Sequence, residues 1–100
     1  MPAHPMAPTG PNQVLDPLTF SGDADELLLD QTGLANGEPP QAIEFRATSA
    51  WTIKNAADGD AYPVLANEPF VVVPTSKSMT IFVTGTEAAT LSAMSIGAAS

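Results

Sequence analysis

The side chains able to do chemistry are few and poorly placed for it. The one histidine, His4, sits among Pro2, Pro5 and Pro8, where nothing holds it within hydrogen-bond reach of a nucleophile. There is no cysteine, and the only lysines, Lys54 and Lys77, follow no glycine-rich loop that could cradle a phosphate. Carboxylates remain. Asp23, Asp25 and Glu26 lie close together, and Asp58-Gly59-Asp60 sets two carboxylates about a flexible glycine. Both groups offer the hard oxygen ligands that calcium takes, at a spacing that matches no EF-hand loop. Paired carboxylates also serve glycoside hydrolysis, but that reaction needs a cleft which a small β domain does not offer. The expectation is a chain with no catalytic residue, no cofactor and no metal site.

Charge and composition narrow the partners. Three Lys plus Arg stand against eleven Asp plus Glu in 100 residues, a formal net charge of -8. Such a chain lacks the basic footprint that nucleic-acid binding requires. Apolar runs such as Leu27 to Leu29 and Val71 to Val73 are far too short for a membrane helix. The opening Met-Pro-Ala-His-Pro-Met-Ala has neither the positive nor the apolar region of a secretory signal. Hydrophobic residues make up 44% and charged residues only 14%; the surface is therefore built largely of Thr, Ser, Asn, Gln and Ala, as suits a surface covered in use.

The elements follow from proline placement and from period. Pro2, Pro5, Pro8, Pro11 and Pro17 are half of the ten prolines, and their spacing predicts an extended arm over residues 1–17, ahead of a domain over 18–100. Such an arm is dispensable for folding and free to lie along a neighbouring chain. From residue 18 the pattern is one of short strands bounded by Gly, Pro, Asn and Asp. Ile43, Phe45 and Ala47 alternate with polar residues, and Trp51 and Ile53 repeat the alternation, so 42–54 reads as one bent strand or two joined by a kink.

Asn55 to Asp60 reads as a turn. Ala61 to Leu65 and Phe70 to Val73 read as a hairpin closed by Ala66 to Pro69. Met79 to Thr84 and Ala89 to Ile96 read as the last two strands, joined through Gly85-Thr86-Glu87, with a bulge near Ala93 where Leu91 and Met94 fall out of phase. Asp23 to Gly33 fits a short capped helix or a strand over 26–30 paired with Leu18 to Phe20, and the strand agrees better with its surroundings.

Seven or eight such strands predict an all-β fold, a small antiparallel β-sandwich, with Phe45, Trp51, Ile53, Tyr62, Leu65, Ile81, Val83 and Leu91 as its core. Val71-Val72-Val73 and Ile81-Phe82-Val83 are apolar on both faces, which marks central strands or strands covered by another subunit. The residues expected at an interface are Phe70, Val72 and Phe82 in and beside these runs, with Pro5, Pro8, Pro11, Val14 and Leu15 of the arm.

The order of these segments resembles a known group. Ala-Ile-Glu-Phe-Arg-Ala-Thr-Ser-Ala-Trp-Thr-Ile-Lys, then Ala-Tyr-Pro-Val-Leu-Ala-Asn-Glu-Pro-Phe-Val-Val-Val-Pro, then Met-Thr-Ile-Phe-Val-Thr-Gly-Thr-Glu-Ala-Ala-Thr-Leu-Ser is similar to small β-sandwich virion proteins of tailed bacteriophages. The Pro/Ala-rich start resembles the arms of capsid decoration, or cement, proteins. The resemblance covers about half the chain. It implies a structural protein on the virion capsid surface, a homotrimer bound to the major capsid protein, with no catalytic residue to carry over. A tail, neck or fibre component built on the same module is the alternative it leaves open. A carbohydrate or cell-surface binding module, using exposed aromatics, is a further alternative.

Overall fold

Alternation of apolar and polar residues over short, turn-bounded segments gives strands and nothing else. The computed structural model describes residues 4–9, 12–34 and 42–97, and these form no helix. Nine strands run in order: β1 (His4–Met6), β2 (Val14–Thr19), β3 (Asp25–Asp30), β4 (Ala42–Ala47), β5 (Trp51–Lys54), β6 (Tyr62–Val64), β7 (Phe70–Val72), β8 (Ser78–Gly85) and β9 (Thr90–Ile96). They build two sheets, a five-stranded one of order β1-β3-β8-β5-β6 and a four-stranded one of order β2-β9-β4-β7. The fold is the expected β-sandwich, antiparallel throughout except where β1 runs parallel to β3.

Most connections change sheet; only β5 and β6, consecutive in the chain, pair with each other. Residues 42–54 are accordingly two strands in different sheets, with 48–50 crossing between them. The expected hairpin of 61–65 with 70–73 does not form, since β6 and β7 lie in opposite sheets. The strand over 25–30 is present, but its partners are β8 and β1 rather than residues 18–20. Local sequence sets a strand and a turn; it does not say whether the chain returns to the same sheet.

The core fills the space between the sheets. Leu27, Leu29, Ile81 and Val83 of the first sheet face Ile43, Phe45, Leu91 and Ala93 of the second, all buried. Trp51, 2% exposed, lies at the centre, with ring centroids 6.1 Å from Phe45, 6.0 Å from Phe70 and 6.5 Å from Phe20. Two residues expected in the core are outside it: Tyr62 and Leu65 are exposed, because β6 is a three-residue edge strand whose only inward side chain is Val64. In β9 Leu91, Ala93 and Ser95 point inward without a break, so no bulge falls at Ala93; the register shift is on the facing strand, between Leu15 and Leu18, where Pro17 cannot donate to the ladder.

The proline-rich start departs most from expectation. The boundary drawn between 17 and 18 falls inside β2, and Met6, Leu15 and Leu18 belong to the core cluster. Ser95, buried, ties this region down: Gln13 N–H donates to Ser95 Oγ at 3.0 Å, and Ser95 N–H donates to the Gln13 carbonyl at 2.8 Å. Prolines are compatible with this placement because both β1 and β2 are edge strands, where one N–H is not needed for pairing.

Gly85 ends β8 where Phe20 crosses the sandwich. A β-carbon there would stand 2.6 Å from the Phe20 ring, so the missing side chain is what lets Phe20 pack. Gly85→Ala is expected to cost about 1–3 kcal/mol, the range for overpacking, read as a lowered urea midpoint. Deleting residues 1–17 removes Met6 and Leu15, each worth about 2–5 kcal/mol on truncation, against a typical total of about 5–15 kcal/mol. The truncated chain is expected to lose cooperative unfolding, measured by Trp51 fluorescence; a sharp transition at the wild-type midpoint would contradict this placement.

Candidate interaction surface

Register assigns each outward side chain to a row. On the outer face of the four-stranded sheet, Val71 lies opposite Glu44, Glu44 opposite Met94, and Met94 opposite Val14. One row thus crosses all four strands, and its three apolar members are exposed: Val14 at 78%, Val71 at 50% and Met94 at 37%. Ala42 and Ile96, a half-buried cross-strand pair, form the next row on this face. The charges here are Glu44 and Arg46, 3.6 Å apart, and Asp16. The first two offset each other, and a pair this exposed contributes below about 1 kcal/mol.

The outer face of the five-stranded sheet is different. Phe82 is half-buried, with Glu26 and Lys54 as its cross-strand neighbours, and Thr80, Thr84 and Thr52 surround it. Lys54 Nζ donates to the Ala57 carbonyl at 2.9 Å and so holds the turn of 55–60.

A groove opens along one side of the sandwich, between edge strands β6 and β7, with a cavity volume of about 370 Å³. Ile53, Phe70 and Met79 contribute its apolar lining, and Tyr62, Asn55 and Asp60 its polar groups. The Tyr62 and Phe70 rings are 5.5 Å apart and tilted by 37°.

The residues expected at an interface do not share one surface. Val14 is on the apolar row, Phe82 on the opposite face of the molecule, and Phe70 and Val72 line the groove half-buried. Pro5 is exposed on β1, Pro8 is buried, Leu15 is a core residue at 7% exposure, and Pro11 lies outside the described residues. The placement of Leu15 corrects its reading as a surface residue: β2 alternates, and with Val14 outward Leu15 must turn inward. Met94 is not singled out by sequence, Val71 is read only as part of an apolar run, and Tyr62 is expected in the core rather than at a surface. The even phase of β9, Leu91 and Ala93 in and Met94 out, was the signal that could have found Met94.

Among the described residues no three His, Cys, Asp or Glu side chains lie together as a metal would need. Two of the acidic side chains instead close local turns. Asp25 accepts hydrogen bonds from the Ser21 N–H and hydroxyl at 3.1 and 3.0 Å. Asp30 accepts from the Thr32 hydroxyl at 2.6 Å and the Thr32 N–H at 2.9 Å, and these two bonds, the hydroxyl's first, hold its carboxyl below the ordinary aspartate value.

Because the folded form of Asp30 is the stronger acid, its contribution to stability is complete above the unfolded value, near pH 4, and is lost as pH falls through the folded one. Thr32→Val removes the hydroxyl donor and is expected to raise the Asp30 midpoint toward the ordinary value, measured by NMR titration of the carboxyl carbon. An unchanged midpoint would show that the turn does not hold the charge. Compared with protein-family models, with curated proteins and with solved structures, the chain finds no match.

Proposed function

We propose that this chain is a non-catalytic assembly module, and that the assembly is a virus shell on which it acts as a decoration protein bound to the major capsid protein. The observation that supports this is the set of exposed apolar side chains Val14, Met94 and Val71 in one row across a sheet, interrupted only by Glu44. Side chains exposed in such a row gain about 25 cal/mol for each Å² of apolar surface covered, and apolar side chains gathered on one face of a small domain suit a surface used for contact. The low content of charged side chains, 14%, agrees with a face meant to be covered. The order of strand segments, similar to that of small phage virion proteins, gives the choice of partner.

A second reading rests on Tyr62. Its exposed ring beside Phe70, with Asn55 and Asp60 on the same groove, is the combination of an aromatic plate and hydrogen-bonding groups that binds sugars.

Immuno-electron microscopy of particles released by cells producing this chain separates the readings. Label spread over the shell is the expected result. Label in a single ring at the neck or tail, on the cell-surface polysaccharide, or absent from particles would each overturn the decoration reading.

A further inference from the structure

Each sheet of an open sandwich ends in two edge strands, whose free N–H and C=O groups can pair with any strand that approaches. Among the described residues, three of the four edge strands carry a proline: Pro5 in β1, Pro17 in β2 and Pro63 in β6. Proline within an edge strand is a usual device against unwanted pairing. The fourth edge, β7, reads Phe70-Val71-Val72 and has no such block. It is also apolar, and from Pro69 to Ser76 the chain carries no charge.

The hydrogen-bond parity shows which groups of β7 are free. Ser95 N–H donates to Gln13 at 2.8 Å, so Ser95 faces β2 and its neighbour Met94 faces β4. Glu44, paired with Met94, therefore directs its backbone groups to β9, and Ile43 and Phe45 direct theirs to β7. The Asn67 N–H bonded to the Ala47 carbonyl at 2.8 Å has the same parity. Phe70 and Val72, opposite Phe45 and Ile43, are thus engaged by β4. Val71 directs its N–H and C=O to the open edge.

We propose that β7 pairs antiparallel with β7 of a second copy of this chain, about a twofold axis passing at Val71. In this register Val71 lies opposite itself and exchanges N–H and C=O with its counterpart. Phe70 lies opposite the second copy's Val72, so inward side chains meet inward ones and the four-stranded sheet continues across the axis. Val73 N–H reaches the carbonyl of the second copy's Pro69, a residue that has no N–H to leave unpaired. Pro74 then ends the ladder. The two grooves beside β6 and β7 meet at the axis, which covers Tyr62 and Val73.

What favours a second copy is self-complementarity: the register about Val71 sets each open backbone group of one strand against its counterpart, and the edge itself adds no charge to the contact. Two chains of net charge -8 repel, and β7 brings them together along a charge-free segment. The contact is short against a standard interface of about 800 Å² per partner, so a weak, concentration-dependent dimer is expected. Added salt should tighten it by screening the remaining repulsion.

Sedimentation equilibrium of the whole chain, from about 5 to 500 µM, tests the proposal. A monomer–dimer equilibrium is expected in the wild type and in Val71→Thr, and is lost in Val71→Lys, which sets two like charges face to face on the axis. Val14→Lys, at the far end of the same outer row, is expected to leave the dimer intact. Trp51 fluorescence reports whether each variant is folded. A monomer throughout the range, a trimer, or a dimer broken by Val14→Lys but not by folded Val71→Lys would overturn the proposal. None of these outcomes decides the shell reading, which rests on particle labelling.

Discussion

The contact on which the rest of this molecule depends is the meeting of Trp51 with aromatic rings across the sandwich. Trp51 belongs to β5 in one sheet, Phe45 and Phe70 to β4 and β7 in the other, and Phe20 to the link between β2 and β3. The rings thus join both sheets and the β2–β3 link in one cluster, alongside aliphatic core residues such as Ile43 and Ile53. Edge-to-face aromatic packing adds about 0.5–1.5 kcal/mol per pair beyond the area it buries, and here it is directed across the gap between layers. The same cluster reaches the groove through Phe70 and Tyr62, so the position of edge strand β7 is coupled to the centre of the core.

Much of the fold was legible because alternation is a local property. Ile43, Phe45, Ala47, Trp51 and Ile53 are in phase and all buried, as the period of two requires. What could not be read is which sheet each strand joins. The linkers 48–50 and 65–69 look alike as turns, and both cross between layers. Tyr62 and Leu65 were placed in the core on hydrophobicity, but β6 is too short to establish a phase and lies at an edge, where only Val64 is covered.

Prolines were the most misleading signal, and for a physical reason. Their density near the start argues against a helix or an internal strand, and that inference is sound. It does not argue against edge strands, which have one unpaired side. The same residue type that suggested a detached arm in fact sits in β1 and β2, flanked by core residues Met6, Leu15 and Leu18. The candidate surface was legible only in part: Val14 is on it, whereas Met94 and Val71 emerge once register joins three strands into one row.

The sheet order has a temporal consequence. β2 pairs only with β9, at the other end of the chain, and β1 adds to β3, whose other neighbour is β8. As the polypeptide is made, β1 can meet β3 early, but β2 has no partner until β9 follows, so the four-stranded sheet cannot close before β9 is complete. Contacts so distant in sequence also slow closure itself. During that wait Pro17 leaves β2 one backbone donor fewer with which to pair elsewhere.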